Sequence, residues 1–406
     1  MKKLLIVTNT MGRAGAEKAL IGLLRRLEER QCDVHLLSII GRGALITSIP
    51  DRVRVLNTKV SAAPVLGWRG ALAISGIVAV RLLRGGVRFI PSIVKRALRQ
   101  IKSGRLQPDK LLWPMLAGTM PAPQDEYDLA IAFLEGAATY YVADKVKAKR
   151  KIAFVHVNYE KAGYDRDHDE GYYRKLDYIC CVSDGVLRGF EGVFPGLSGK
   201  TRLFPNIIDP DAIRAEAALP GGFDDGFDGL RLLTVARLHP QKGLDMAIEA
   251  MAKLVAAGNE NLRWYVIGEG MERPRLQRLI RQRGLKGRFI LMGARDNPYP
   301  YMRQCDVYVQ PSGFEGYGLT LLEALILHKP CVTTAFDGVP DLLTDDRDAL
   351  IIRYGADQAA DAIGRLVDDA PLRRAIGEGT HNTPLRFEDK TQAIFDLLDG
   401  MEWEGV

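Results

Sequence analysis

No run of eighteen uncharged apolar residues occurs in this chain of 406 residues, so a bilayer-spanning helix is not expected. The apolar stretch at the start, Leu4 to Val7, is too short for a secretory signal. Cysteine is scarce. Cys32, Cys180, Cys181, Cys305 and Cys331 form no metal-ligand spacing, and four of them lie in or beside apolar strand-like runs, which predicts buried thiols in a reducing compartment. The G-x-G-x-x-G spacing is absent, which removes a dinucleotide-binding dehydrogenase. Short-period repeats and low-complexity tracts are absent too, which removes a solenoid. A cytosolic chain is the expectation.

Acid is missing from one long stretch. Between Arg52 and Pro108 there are twelve Lys or Arg and no Asp or Glu, while the rest of the chain carries 44 basic against 50 acidic residues. The net charge of +6 is therefore a basic strip on an acidic body. Within it, Arg81, Arg84, Arg88, Lys95, Arg96 and Arg99 alternate with Val78, Ile90, Ile93, Val94 and Leu98. Such a basic amphipathic segment suits an anionic membrane surface, at about 1 kcal/mol per cation. A solvated helix pair is the plainer reading. Nucleic acid is not expected as a partner, since aromatics are few and no nucleic-acid motif is present.

What is there is an α/β pattern, given twice. Strands are expected near 3–8, 33–40, 128–133, 151–157 and 177–182, with helices near 16–30 and 184–193, and the alternation resumes from 231. The implied domains are 1–205, with a basic helical insertion at about 62–118, and 230–385. Residues 206–229, rich in Pro, Gly and Asp, read as a linker, and 386–406 as a C-terminal helix that packs back on the first domain. The site is expected in the cleft between the halves.

The run Pro311-Ser-Gly-Phe-Glu-Gly-Tyr-Gly-Leu-Thr-Leu-Leu-Glu-Ala324 follows a buried strand, Asp306 to Gln310. Its glycines let backbone approach a ligand, and a helix from about Leu319 offers N–H groups to a phosphate. Carboxylates do not serve that phosphate. Glu323 can accept hydrogen bonds from a vicinal diol such as a ribose, and Glu315 from a hydroxylated group beside the phosphates. Upstream, Arg237 and Lys242 emerge from the carboxyl end of another strand, where open sheets bind ligands. A cation at a helix start opposes the dipole unless an anion is present. Two cations about 4 Å from a diphosphate leaving group are worth roughly 4 kcal/mol each at an effective dielectric near 20.

Arg237 and Lys242, Gly268-Glu269-Gly270 after a strand, the run Asp306 to Ser312, and the Glu315/Glu323 pair together resemble the donor half of the retaining glycosyltransferases of family 4 (group 1). The resemblance implies the GT-B fold: two Rossmann-like, doubly wound α/β domains facing across a cleft. It implies that Arg237 and Lys242 hold the nucleotide diphosphate, Glu323 the ribose and Glu315 the transferred sugar. Gly268, Tyr317, Gly318, Leu319 and Thr320 complete the donor contacts. UDP is the commonest donor nucleotide among relatives and is placed first, with a hexosyl or N-acetylhexosaminyl group transferred. No cofactor is expected, the nucleotide sugar being a co-substrate.

On the acceptor side, Thr10 to Glu17 resembles the family's Gly-Gly-Ala-Glu loop. Gly15 and Glu17 match, while Ala14 stands in place of the first glycine. His156, at a strand end, matches a position lining the acceptor pocket, either positioning the acceptor or handling a proton. Glu135 is a weaker candidate beside it. In Pro205-Asn-Ile-Ile-Asp209, which resembles the family's P-N-G-x-D, Ile207 replaces the glycine, and His328 stands where glycine is common. The basic strip resembles the insertion of members that glycosylate lipid-linked saccharides at the cytoplasmic membrane face. Arg81, Arg84, Arg88, Lys95, Arg96 and Arg99 would then hold the acceptor's lipid phosphate, with the protein peripheral at that face.

Asp-x-Asp, a metal-binding pattern of another glycosyltransferase fold, occurs four times, at 165, 167, 209 and 346. None directly closes an apolar strand, and Arg237 and Lys242 supply the charge, so metal-free catalysis is expected. Two other activities fit part of this pattern: a nucleotide-sugar epimerase of the same architecture, and a non-enzymatic membrane-surface binding protein.

Overall fold

The computed structural model describes residues 1–12, 15–57, 61, 94, 97, 113, 120–162, 164–337, 339–383 and 390–403. The six cations expected to meet the acceptor's phosphate, Arg81, Arg84, Arg88, Lys95, Arg96 and Arg99, lie outside the described residues. The chain divides into two compact units, Met1–Ile207 with Phe387–Val406, and Ile208–Arg386.

The first unit is built from β1 (Lys2–Thr8), α1 (Gly15–Leu27), β2 (Cys32–Ser38), β3 (Arg54–Val55), β4 (Tyr127–Ala132), α2 (Ala137–Lys145), β5 (Ala148–Val155), α3 (Arg166–Tyr173), β6 (Tyr178–Cys181), α4 (Asp184–Val193) and β7 (Thr201–Leu203). Its strands pair in parallel in the order β3-β2-β1-β4-β5-β6-β7. Leu4, Leu5, Ile6 and Val7 are all fully buried, as unbroken apolar runs are in a sheet covered on both faces.

The second unit runs α5 (Pro210–Ala218), β8 (Leu230–Val235), α6 (Leu244–Ala256), β9 (Leu262–Ile267), α7 (Arg273–Gln282), β10 (Phe289–Gly293), α8 (Tyr299–Gln304), β11 (Val307–Gln310), α9 (Leu319–Ile326), β12 (Cys331–Thr334), β13 (Leu350–Ile352), α10 (Ala356–Asp368) and α11 (Ala370–Gly379). Its parallel sheet has the order β10-β9-β8-β11-β12-β13. A final helix, α12 (Thr391–Asp399), packs on α1, β1 and β4 of the first unit.

Strand order reverses between β1 and β4 in the first sheet and between β8 and β11 in the second. In open parallel sheets the loops diverge at such a point, and ligands bind at its carboxyl edge. In the second unit Val307 pairs with Leu232 and Tyr308 with Leu233. The loops leaving β8 and β11 therefore start side by side. The buried Thr234 hydroxyl fastens this junction, donating to the Val309 carbonyl at 2.7 Å and accepting the Trp264 indole N–H at 3.1 Å.

Residues 206–229 differ from the expected linker. From Ile208 onward they are built into the second unit, where α5 packs on α8 and α9. Asp209 caps α5 by accepting the Asp211 and Ala212 amides at 3.1 and 3.0 Å. Asp225 collects Arg231 at 2.9 Å, Arg263 at 3.1 Å and the Tyr265 hydroxyl, while Phe223 packs on Tyr265 and Tyr301. Pro, Gly and Asp serve a tight, anchored path here, one that their composition does not separate from a free one.

Candidate functional site

In the second unit the site grows from the two adjoining loops. After β8 the chain passes Arg237 and makes a single turn, Pro240–Lys242, before α6. Gly243 ends that turn in the left-handed region (φ 63°), and a Cβ there would sit 2.0 Å from the Pro311 carbonyl oxygen. Only glycine lets the two loops come this close. They are laced by backbone and amide bonds: the Gly313 N–H donates to the Gln241 carbonyl at 2.8 Å, and Gln241 Nε2 to the Phe314 carbonyl at 2.8 Å.

The contact brings Lys242 to Glu315. Its Nζ lies 2.7 Å from both carboxylate oxygens, and the two side chains are only 15% and 9% exposed. Glu315 Oε1 also accepts from Ser312 Oγ at 2.6 Å and Gln310 Nε2 at 2.7 Å. Among the described residues Oε2 takes Lys242 alone.

Glu323 lies on the fifth position of α9 and is 5% exposed. Tyr299, opening α8, donates its hydroxyl to Glu323 Oε1 at 3.0 Å. Burial first, and the Glu323 charge second, push that phenol far above its usual range, so it stays a donor. Gly318, at φ 72°, caps α9 without a side-chain hydrogen bond; Tyr317 precedes it, and Leu319 and Thr320 form the first turn.

Arg237 is exposed, and its side chain has no ion pair or hydrogen bond among the described residues. Gly268 and Gly270 hold its loop by backbone packing. A Cβ at Gly268 (φ 151°) would meet the Ala236 oxygen at 1.9 Å, and one at Gly270 the Leu238 oxygen at 2.2 Å. His239 reports the local field: burial, then the charges of Arg237 and Lys242, push its pKa below the ordinary imidazole value. An electropositive, partly dry site at the carboxyl edge of β8 suits an anion.

In the first unit the loops after β1, β4 and β5 are joined in the same manner. Asn9 donates to the Glu135 carbonyl at 2.9 Å and accepts the Ala138 amide at 2.9 Å. Glu17, in the first turn of α1 after Gly15, accepts the Thr10 hydroxyl at 2.9 Å. Glu135 Oε1 accepts the backbone N–H groups of His156 and of Val157, the latter at 3.1 Å. The weaker candidate is thus the residue that holds His156 in place.

The His156 ring is buried beside Phe133 and Phe154, with centroids 4.9 and 6.0 Å away. Burial pushes its pKa down to about 4, the nearby Phe133 carbonyl offsetting part of this. At neutral pH it is an uncharged imidazole, and neither ring nitrogen has a well-aligned partner among the described residues.

Several Asp-x-Asp members are engaged elsewhere. Asp165 caps α3, Asp169 accepts the Tyr140 and Tyr159 hydroxyls, Asp209 caps α5, and Asp348 pairs with Arg347 at 2.8 Å. His328 takes the left-handed backbone (φ 54°) that glycine would adopt freely, held by Thr380 at 3.1 Å and stacked on His381. It lines a cavity of about 320 Å³ with Asp306 and Lys329, at the amino ends of β11 and β12 and so at the opposite edge of the sheet from Glu315.

Sequence reasoning brought out both glutamates and both cations but not Gln310, Tyr299 or His239. A signal existed for Gln310, an amide closing the otherwise apolar strand Val307-Tyr-Val.

The family model for "Glycosyl transferases group 1" matches residues 228–383. The chain is 32% identical over 179 residues to alpha-D-kanosaminyltransferase of Streptomyces kanamyceticus (43% of this chain, 45% of that protein). It is 26% identical over 315 residues to the lipopolysaccharide core biosynthesis glycosyltransferase LpsE of Rhizobium meliloti (77% and 87%). It is 29% identical over 228 residues to N-acetylgalactosamine-N,N'-diacetylbacillosaminyl-diphospho-undecaprenol 4-alpha-N-acetylgalactosaminyltransferase of Campylobacter jejuni (56% and 60%). The chain thus spans about half the length of the first and third of these. Among solved structures, HepE of Anabaena in complex with UDP and glucose has a similar fold, with TM-score 0.69 at 17% identity, covering 99% of this chain and all of that one. No helix among the described residues is long and apolar enough to cross a membrane.

Proposed function

We propose that this chain, which has the GT-B fold, is a group 1 glycosyltransferase that moves a sugar from a nucleoside diphosphate donor, UDP first, to a hydroxyl of a lipid-linked glycan precursor. The observation that carries the reading is the Lys242–Glu315 pair at the carboxyl edge of β8 and β11, with Glu323 buried in the helix that follows and Arg237 close by in sequence.

In this reading Arg237 and Lys242 meet the diphosphate. Negative charge grows on it as the bond to the sugar breaks, and the cations stabilise that charge, Lys242 being already held in place by Glu315. The pair does this work without a metal. Glu323, steadied by Tyr299, accepts from the ribose diol. Glu315 holds Lys242 and offers Oε2 to a sugar hydroxyl. No side chain here is placed as an obvious covalent nucleophile, so a front-face transfer, with the departing phosphate helping to take the acceptor proton, retains the anomeric configuration.

Gly15, Glu17 and His156 serve the acceptor, the neutral imidazole as a hydrogen-bond or proton acceptor. The charge of the basic strip and the undecaprenol-linked substrate in the name of the Campylobacter jejuni relative support the reading of a lipid-linked acceptor met at the membrane face. Thermal denaturation with UDP at 100 times its dissociation constant should show about 2.7 kcal/mol of stabilisation, absent in Glu323→Ala. No shift with any nucleoside diphosphate sinks the donor assignment.

A further inference from the structure

Gln310 closes β11 at 1% exposure, after Val307, Tyr308 and Val309, all buried. An apolar side chain would suit such a place, because an interior amide is costly unless its hydrogen-bonding groups are met. Here they are met completely. Oε1 accepts the hydroxyls of Tyr308 at 3.0 Å and Thr320 at 3.2 Å, while Nε2 donates to Ser312 Oγ at 3.0 Å and Glu315 Oε1 at 2.7 Å. The orientation of the amide follows from its partners. A carboxylate only accepts, so Glu315 must face the NH₂ group, and the two hydroxyls on the far side must face the oxygen.

The network has a direction. Thr320, in the first turn of α9, and Tyr308 donate to Gln310, which donates to Glu315 and Ser312, and Ser312 donates to Glu315 in turn. Glu315 then holds the Lys242 ammonium with both oxygens. We infer that Gln310 is a positioning residue for transfer: its amide fixes the Glu315 carboxylate, and through it the Lys242 ammonium, in the place where the donor's diphosphate arrives. A neutral donor is the right device. A second cation would compete with Lys242 for the carboxylate, and an apolar residue would let Glu315 turn. This rests on the donor-site reading above and gives a role to a residue that the resemblance leaves without one.

The test replaces the amide by a group whose donor ability depends on pH. In Gln310→Glu the new carboxyl, while protonated, presents an O–H to Glu315 as the amide does. Once ionised it places two like charges at hydrogen-bond distance, and one of them is driven away. Among the described residues the charged and titratable groups around position 310 include Glu315, Lys242 and Tyr308, the last with a phenol pushed far up by burial and, further out on its side, Glu323 and the Cys331 thiol.

The kcat/KM of Gln310→Glu is therefore expected to stay within a few-fold of wild type near pH 5 and to fall at least tenfold relative to it by pH 8. Gln310→Leu should lose roughly tenfold at every pH. A Gln310→Glu profile parallel to wild type overturns the inference, as does Gln310→Leu within twofold of wild type. If Gln310→Glu does not fold, Gln310→Asn, one methylene too short to span Glu315 and Thr320 together, decides: a tenfold loss supports the role and unchanged turnover overturns it. Lys242→Ala separates this from the reading beneath it. Normal transfer by that variant removes the donor site itself, whereas a dead Lys242→Ala beside a pH-parallel Gln310→Glu removes only the role of Gln310.

Discussion

Removing Lys242 should weaken the fold and the chemistry by separable amounts. Its ammonium sits 2.7 Å from both Glu315 oxygens, with 15% and 9% of the two side chains exposed. Breaking a fully buried pair from one side costs about 3–5 kcal/mol, because the remaining charge is left uncompensated. Glu315 keeps its donors from Gln310 and Ser312, at 2.7 and 2.6 Å, and the pair is not fully closed to water, so the loss falls below that range. A net loss of about 2 kcal/mol is the expectation for Lys242→Ala. In a unit of this size that lowers Tm by roughly 4–8 °C. Transfer should fall at least roughly tenfold, about 1.4 kcal/mol of barrier, with Arg237 still in place. The double variant Lys242→Ala with Glu315→Gln removes both charges and should recover most of the stability but none of the transfer. Thermal melts and kcat/KM on one preparation read both. A single variant within about 0.5 kcal/mol and twofold of wild type would refute the reasoning.

Tyr299→Phe removes the phenol hydroxyl from Glu323 Oε1, so the donor KM should rise about three- to tenfold with kcat within twofold; an unchanged KM would show that the 3.0 Å bond does not matter to donor binding. His156 titrates at about 4 in the folded chain against 6.5 when exposed, so the unfolded state takes up its proton first as pH falls. Its contribution of about 3 kcal/mol is fully present above pH 6.5 and lost progressively towards pH 4. Urea midpoints of wild type and His156→Gln should therefore converge on acidification, and parallel curves would contradict the buried neutral ring.

Where a function rests on one stretch of chain, the sequence showed it. Glu315 and Glu323 lie in a single strand, loop and helix, and the glycines that admit close backbone approach are visible as letters. The α/β alternation, given twice, was legible for the same reason, since buried parallel strands are unbroken apolar runs. What was not legible depends on partners far along the chain. Lys242 and Glu315 are 73 residues apart, and Tyr299 meets Glu323 only because α8 and α9 flank β11. Gln310 read as the polar end of a strand, although it lies at the centre of a hydrogen-bond network. Residues 206–229 read as a linker because composition records turns, whereas the ion pairs of Asp225 with Arg231 and Arg263 require the folded sheet edge.

The most direct test of the central claim is the configuration of a product. Incubation of wild-type protein with UDP-sugars and a polyprenyl diphosphate-linked saccharide, followed by NMR of the new glycosidic linkage, reads donor, acceptor and stereochemistry together. The account predicts acceptor-dependent transfer with the donor's anomeric configuration kept, reduced at least roughly tenfold by Glu323→Ala. An inverted linkage, or conversion of the nucleotide sugar with no acceptor present, would contradict it.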